Sequence, residues 1–217
     1  MTEANPPRDD GWLPGVVRVP SPHVYPEGHS QVKPATLAVC HWTASPRGTD
    51  PHGAHPGRVA RWLEGKGSES STHFVVLRDG RTYQGAPLTA RTWHAGASSW
   101  GVRPGKSVNG WSIGLDVENL GPVRRFDGSW RDIYGLTYAG PEPEQHGAVW
   151  FEPLSAPQAE ALLVLAAELA RRIPALRDPA AWVGHCDVSP GRKQDPGPAF
   201  PWDRLRAAVA RIARDNP

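Results

Sequence analysis

Three short apolar runs constrain this chain more than any other feature: Thr36-Leu-Ala-Val-Cys-His-Trp42, Thr72-His-Phe-Val-Val-Leu77 and Trp111-Ser-Ile-Gly-Leu-Asp-Val-Glu118. Each is too brief for a helix and is bounded by small polar or turn-forming residues, so each reads as a strand buried in a sheet. The second enters the turn Arg78-Asp79-Gly80-Arg81, which predicts a hairpin with Thr82-Tyr83-Gln84. Another short strand is expected at Ala181-Trp-Val-Gly184. Ser155 followed by Gln158 has the form of a capping box, and Leu162, Ala166, Leu169 and Ile173 then recur at helical spacing until Pro174 intervenes. Leu205, Val209 and Ile212 line one face of a final helix, and a shorter helix is expected around Val59 to Glu64, stopped by the glycines of GKG. Strands interleaved with helices, with a tight hairpin among them, predict an α/β fold: a single domain with a central mixed β-sheet flanked by helices.

Residues 1–34 are rich in proline and polar side chains and read as an extended N-terminal arm lying over a domain at 35–217. Between Asn119 and Pro153, glycines, prolines and aromatics follow no period, which predicts a long ordered insertion at about 120–154. Loops of that length are uncommon unless functional, so it is a lid candidate. The 24 basic and 22 acidic residues are scattered, without the clustered positive charge of a nucleic-acid binder. No segment approaches the length that spans a bilayer, and the first residues lack the basic start and apolar run of an export signal. The expectation is therefore a cytoplasmic protein with no nucleic-acid and no membrane partner. Two cysteines are too few for a disulfide scaffold or an all-cysteine zinc site. Ten tryptophans beside four tyrosines and four phenylalanines are an unusual supply of wide rings, suited to core packing and to sugar or peptide platforms.

Of nine histidines, His23, His29, His52, His55 and His146 lie in irregular polar segments and read as incidental. His41, His94 and His185 follow segments able to fix the backbone, and His41 and His185 end predicted strands, where open α/β sheets place ligand sites. A catalytic zinc takes about three protein ligands and leaves one position for water. His41, His185 and Asp195 can supply that set if the loop from Ser189 to Lys193 folds back, although by spacing alone Asp187 or Cys186 serves as well as Asp195. A thiol nucleophile is the alternative. Each cysteine follows or precedes a histidine, but adjacent side chains on a strand face opposite ways, so Cys40 and Cys186 turn to the core if the histidines face a site. Lys193 is either a solvated loop charge or, near a metal, an oxyanion partner. Asp116 shares a strand face with Gly114 and Glu118 and is either a salt-bridge partner or a general base.

Taken together, LAVCHWTAS (37–45), THFVVLRDGRTYQ (72–84), RTWHAG (91–96), NGWSIGLDVEN (109–119) and VGHCDVSPGRKQDPGPAFPW (183–202) resemble the type 2 N-acetylmuramoyl-L-alanine amidases, which share a fold with peptidoglycan recognition proteins. GWLPGVVRVPSPH at 11–23 and the last motif are similar to the AmpD-like branch. The resemblance implies Zn2+ held by His41, His185 and Asp195, an oxyanion role for Lys193, a general base at Asp116, and a substrate groove lined by Trp42, Trp93 and His94. It implies hydrolysis, by zinc-activated water, of the amide joining the lactyl group of N-acetylmuramic acid, or its anhydro form, to L-alanine in peptidoglycan or its fragments. Cell-wall recycling is the leading expectation; a phage endolysin acting on intact peptidoglycan and a non-catalytic peptidoglycan-binding module are the alternatives. Three features depart from the pattern of the wider family or of this branch, although Thr72 is itself similar to the AmpD-like pattern. Asp116 stands where its members carry a glutamate, with Glu118 available on the same face. Thr72 stands where phage lysins and catalytic recognition proteins tend to have a tyrosine. The segment from Leu120 to Leu154 is longer than the usual connection.

Overall fold

In the computed structural model, which describes residues 11–25, 35–45, 59, 62, 65, 66, 68–101 and 107–215, the apolar runs lie side by side in one sheet. Along the chain the strands are β1 (Val17–Arg18), β2 (Leu37–Trp42), β3 (Phe74–Val76), β4 (Thr82–Gln84), β5 (Ser112–Val117), β6 (Pro122–Phe126), β7 (Ser129–Arg131), β8 (Glu144–His146), β9 (Val149–Phe151) and β10 (Trp182–Gly184). The helices are α1 (Ala156–Arg172), α2 (His185–Val188) and α3 (Trp202–Asp215). The main sheet has the order β1-β4-β3-β5-β2-β10. Its centre is parallel, with β5 between β3 and β2 and β10 outside β2. Only the β3–β4 hairpin is antiparallel. This is the mixed α/β domain expected from the runs.

Both faces of the sheet are covered, which explains why its central strands read as continuous apolar runs instead of alternating ones. On one face, Ala38, Cys40, Phe74, Ile113 and Leu115 form one cluster with Leu162, Leu165 and Leu169 of α1 and Leu205, Val209 and Ile212 of α3. On the other, Leu37 and Val39 pack with Ala95, Val108, Val183 and Val188. Ser155 caps α1 by accepting a hydrogen bond from the Gln158 amide at 3.2 Å. The glutamine side chain does not complete the expected capping box. It donates instead to the carbonyls of Val76 (2.9 Å) and Glu118 (3.0 Å), tying the helix start to two strands.

Residues 11–25 run extended along the domain, lay β1 parallel to the β4 edge and bury Leu13 in the main core. Residues 1–10 and 26–34 of the expected arm lie outside the described residues. Of the helix expected at 59–64, Val59 and Trp62 are helical and the other four residues are not described.

The insertion, expected to be ordered but with no strand assigned in it, folds as a second antiparallel sheet in the order β7-β6-β9-β8. Its strands are short, and Gly128 and Gly147 take positive φ in its turns, so no alternation survives long enough to be read. Where it leaves and rejoins the domain stands Arg78. The guanidinium grips Glu152 with two hydrogen bonds of 2.9 and 3.0 Å, Glu118 at 3.0 Å and the Ser45 carbonyl at 2.6 Å. Glu152 in turn accepts from the Leu120 amide. Because the side chains of Glu118 and Glu152 are 4% and 0% exposed, removing the Arg78 guanidinium would take the positive charge from two buried carboxylates, typically at a cost of about 3–5 kcal/mol.

His73, passed over in the sequence, is fully buried beside β5. Its Nε2–H donates to the Ala90 carbonyl at 3.0 Å, and its Nδ1 accepts from the Gly114 amide at 3.0 Å. Burial lowers this imidazole from 6.5 to about 4, against the opposing hydrogen bond to Ala90. Between those values the unfolded chain binds a proton that the folded chain excludes, so stability falls as pH drops through that window, by about 3 kcal/mol at its lower end. Urea unfolding of the metal-free protein at about pH 7.5 and about pH 4.5 should therefore show His73→Gln less stable at the higher pH but losing less on acidification than the unaltered chain. Equal acid losses in the two proteins would show that His73 is not the group responsible.

Candidate metal centre

Adjacent parallel strands place the first pair of polar side chains. His41 near the end of β2 is the register partner of Asp116 on β5, and Val39 and Leu37 pair with Gly114 and Ser112. These residues share the face opposite α1. Gly184 at the end of β10 pairs with Cys40, so His185, the next residue, emerges beside His41. His185 opens the one-turn helix α2 instead of ending a strand. The chain then turns through Ser189, whose carbonyl accepts from the amides of Arg192 (3.2 Å) and Lys193 (3.1 Å), and returns until the Asp195 carbonyl accepts from the Cys186 amide at 2.9 Å. That closure sets Asp195 beside His185.

The outcome is a triangle. His41 Nδ1, His185 Nδ1 and Asp195 Oδ2 lie 3.0 Å from one another on every edge, and the three residues are 4%, 3% and 7% exposed. Burial raises the Asp195 carboxyl, but the two imidazoles outweigh it and hold the group below its usual range. The outer nitrogens of the histidines are already committed. His185 Nε2 donates to the Ala95 carbonyl at 3.0 Å, an acceptor it shares with Arg192 Nη2 at 2.7 Å. His41 Nε2 lies 3.1 Å from His94 Nδ1.

A carboxylate and two imidazole nitrogens this close need positive charge between them. Protons can supply it, as an imidazolium donating to Asp195, and a cation can replace them. The 3.0 Å edges approach the about 3.3 Å edge of a tetrahedron with bonds near 2 Å, and two nitrogens with one carboxylate oxygen are a catalytic zinc donor set. His41, His185 and Asp195 form the one group of three or more such side chains that could hold a metal ion among the described residues. They fit the group that the resemblance implies.

Other predicted residues divide. Asp116 is the register neighbour of His41, its carboxyl raised by burial and drawn back in part by His41 and the Thr72 hydroxyl. Glu118, expected on the same face, is engaged by Arg78 and lies just beyond β5, where strand alternation has ended. Lys193 is exposed on the return loop. Asp187, the alternative ligand, accepts from the Gly184 amide at 2.7 Å and holds the start of α2. Trp93 is 46% exposed and stacks on Tyr25 with ring centres 3.8 Å apart, while Arg91 covers Tyr25 at 3.8 Å.

Two groove assignments need correction. Trp42 follows His41 on β2 and so faces the other way, packed against the main core. A Cβ on Gly121 or Gly197 would come within 2.8 or 2.7 Å of its ring, so it is a packing post between the insertion and the return loop. His94 has both ring nitrogens engaged by protein, Nδ1 by His41 and Nε2 by Ser112 Oγ at 3.0 Å, which leaves neither for substrate. The thiols also fall away. Burial, with Asp116 and Asp187, pushes Cys40 up; burial, with Asp187 and Asp195, pushes Cys186 up. Cys186 does not face the core as expected, because it sits on α2 and is partly exposed. Sequence reasoning missed Ser112, Tyr25 and Arg192, and placed Gly114 on the site's strand face without giving it a role. Of these only Gly114, a glycine inside a strand, carried a signal, that of close approach.

Comparisons with known proteins identify the family. The N-acetylmuramoyl-L-alanine amidase family model matches residues 31–198. The 1,6-anhydro-N-acetylmuramyl-L-alanine amidase AmpD of Citrobacter freundii is 30% identical over 215 residues, 93% of this chain and 94% of its own. A crystal structure of AmpD superposes with a TM-score of 0.60 at 29% identity, covering 93% of this chain and 98% of that one. Escherichia coli AmiD, in complex with anhydro-N-acetylmuramic acid-L-Ala-D-γ-Glu-L-Lys, gives 0.57 at 27% identity, covering 80% of this chain and 57% of that one. By matched family model and by identity across nearly its whole length, the chain belongs to the N-acetylmuramoyl-L-alanine amidase family.

Proposed function

We propose that this amidase hydrolyses the bond between the lactyl carbonyl of 1,6-anhydro-N-acetylmuramic acid and L-alanine in soluble peptidoglycan fragments, with Zn2+ held by His41, His185 and Asp195, as a step of cell-wall recycling. The observation that carries this reading is the buried triangle of two imidazole nitrogens and a carboxylate oxygen, 3.0 Å apart. Full-length likeness to AmpD, whose name specifies the anhydro sugar, supports the substrate. A purely binding role on the same fold leaves that convergence without a purpose.

Zinc bound there supplies Lewis acidity, lowering the pKa of water and polarising the scissile carbonyl. The chain does the rest. Asp116, whose carboxyl burial has raised, takes the proton of the attacking water on a carboxylate oxygen and returns it to the departing L-alanine nitrogen, the cycle that a base with a raised pKa suits. Lys193 brings an ammonium on a flexible stem to the negative charge that develops on the carbonyl oxygen. The exposed face of Trp93, braced from behind by Tyr25, offers an apolar platform for the sugar ring.

Metal content and activity test the centre. Asp195→Ala should lose stoichiometric zinc and at least about a thousandfold in kcat/KM, and chelation of the unaltered enzyme should abolish activity until zinc is restored. Full turnover in a zinc-free preparation refutes the metal reading. For the base, Asp116→Asn should retain zinc yet lose about 10²–10⁴-fold in kcat, measured at fixed zinc occupancy. An undiminished kcat removes Asp116 from the mechanism. The substrate is tested by comparing purified anhydro-muropeptides with intact sacculi: rapid cleavage of the former and little release from the latter is expected, and preferential digestion of sacculi identifies a lytic enzyme instead.

A further inference from the structure

We propose that His94 is a positioning residue of the metal centre: a chain of hydrogen bonds running from Val108 through Ser112 and His94 fixes the tautomer in which His41 presents an unprotonated Nδ1. The inference rests on the metal-site reading and adds to it a cause for the ligand's state. Its direction follows from the one hydroxyl in the chain. Ser112 has a single proton, and its Oγ–H donates to the Val108 carbonyl at 2.8 Å. Towards His94 its oxygen can therefore only accept, so His94 Nε2, 3.0 Å away, carries the hydrogen. A neutral His94 then has a bare Nδ1, which at 3.1 Å accepts from His41 Nε2–H. With its hydrogen on Nε2, His41 turns a lone pair on Nδ1 toward His185 and Asp195.

The sheet is shaped for this relay. The chain steps from Ser112 to His41 over Gly114, whose added Cβ would meet His94 Cγ at 2.6 Å and Cβ at 2.9 Å. A side chain at 114 would push the imidazole off the sheet, so the glycine gives His94 the depth to reach both partners. The other histidine ligand is fixed independently by the Ala95 carbonyl. His94 and Ala95 are neighbours in sequence, so one two-residue segment sets the tautomer of both histidines.

The test is zinc affinity, measured by competition with a chromophoric chelator, for the unaltered chain, His94→Leu, His94→Asn and Ser112→Ala. Leucine keeps bulk without an acceptor, whereas the Oδ1 of asparagine can stand where Nδ1 stood. His94→Leu should weaken zinc about 10–100-fold, as loss of a ligand's hydrogen-bond partner typically does. His94→Asn should remain within a few-fold of the unaltered chain, and Ser112→Ala should weaken zinc less than leucine does. Unfolding midpoints of the metal-free proteins identify any variant that fails to fold, and Ser112→Ala, which removes one atom, decides the matter if His94→Leu is such a variant. Undiminished affinity in every folded variant overturns the proposal, as does an asparagine variant as weak as the leucine one. An unaltered chain that binds no zinc overturns the metal reading beneath it.

Discussion

The parallel pairing of β2 with β5 is the constraint on which the site depends. It aligns Leu37, Val39 and His41 with Ser112, Gly114 and Asp116 on one face, and the placing of His41 beside Asp116 needs that alignment. A slip of one residue on either strand would carry its three side chains into the α1 core and bring Cys40 or Leu115 onto the site's face. Such a slip is strongly opposed, because Ala38, Cys40, Ile113 and Leu115 are fully buried on the other side. Apolar packing on the helix face thus holds the polar face in register.

His41 and Trp42 show the same alternation at work over a longer range. The site takes the histidine, and the tryptophan, turned the other way, receives the backbones of Gly121 and Gly197. One glycine begins the insertion and the other follows Asp195 on the return loop. Arg78 acts beside it, gathering Ser45, Glu118 and Glu152 on one guanidinium. An inserted sheet of thirty-odd residues can therefore enter and leave the domain at a single braced point without disturbing the strands that carry the ligands. Tyr134 ties the inserted sheet to the loop after His41, its hydroxyl donating to the Ala44 carbonyl at 2.8 Å.

The sheet was legible because its strands are buried on both faces and so announce themselves as unbroken apolar runs; α1 and α3 were legible through their period. The insertion was not, since its three-residue and five-residue strands end before an alternation can be distinguished from chance. Within the site, the candidate ligands were singled out by a long motif and its resemblance, local signals both; the strand-end signal applied to His41 alone, since His185 opens α2. His94 was misread for the opposite reason. Its role lies in which atoms its nitrogens meet across 53 and 18 residues of sequence, and no spacing encodes that. Trp42 was misassigned although strand alternation alone would have turned it away from His41.

Two carboxyl groups that neighbour His41 have been driven in opposite directions, and the division assigns their work under the proposed mechanism. Asp195 is held low by two imidazoles that face it at 3.0 Å, so it keeps its charge and can neutralise a cation. Asp116 is raised by burial, with Asp195 itself adding to the rise, so its proton affinity moves toward the range where transfer to and from water is useful. Separated pKa values of neighbouring acids are the usual mark of one structural and one proton-transferring group. The shorter side chain of aspartate fits this division. On the strand beside β2, about 4.8 Å away, it stays against the sheet and His41, within the buried region that raises it, where a longer arm could reach toward solvent and lose the shift.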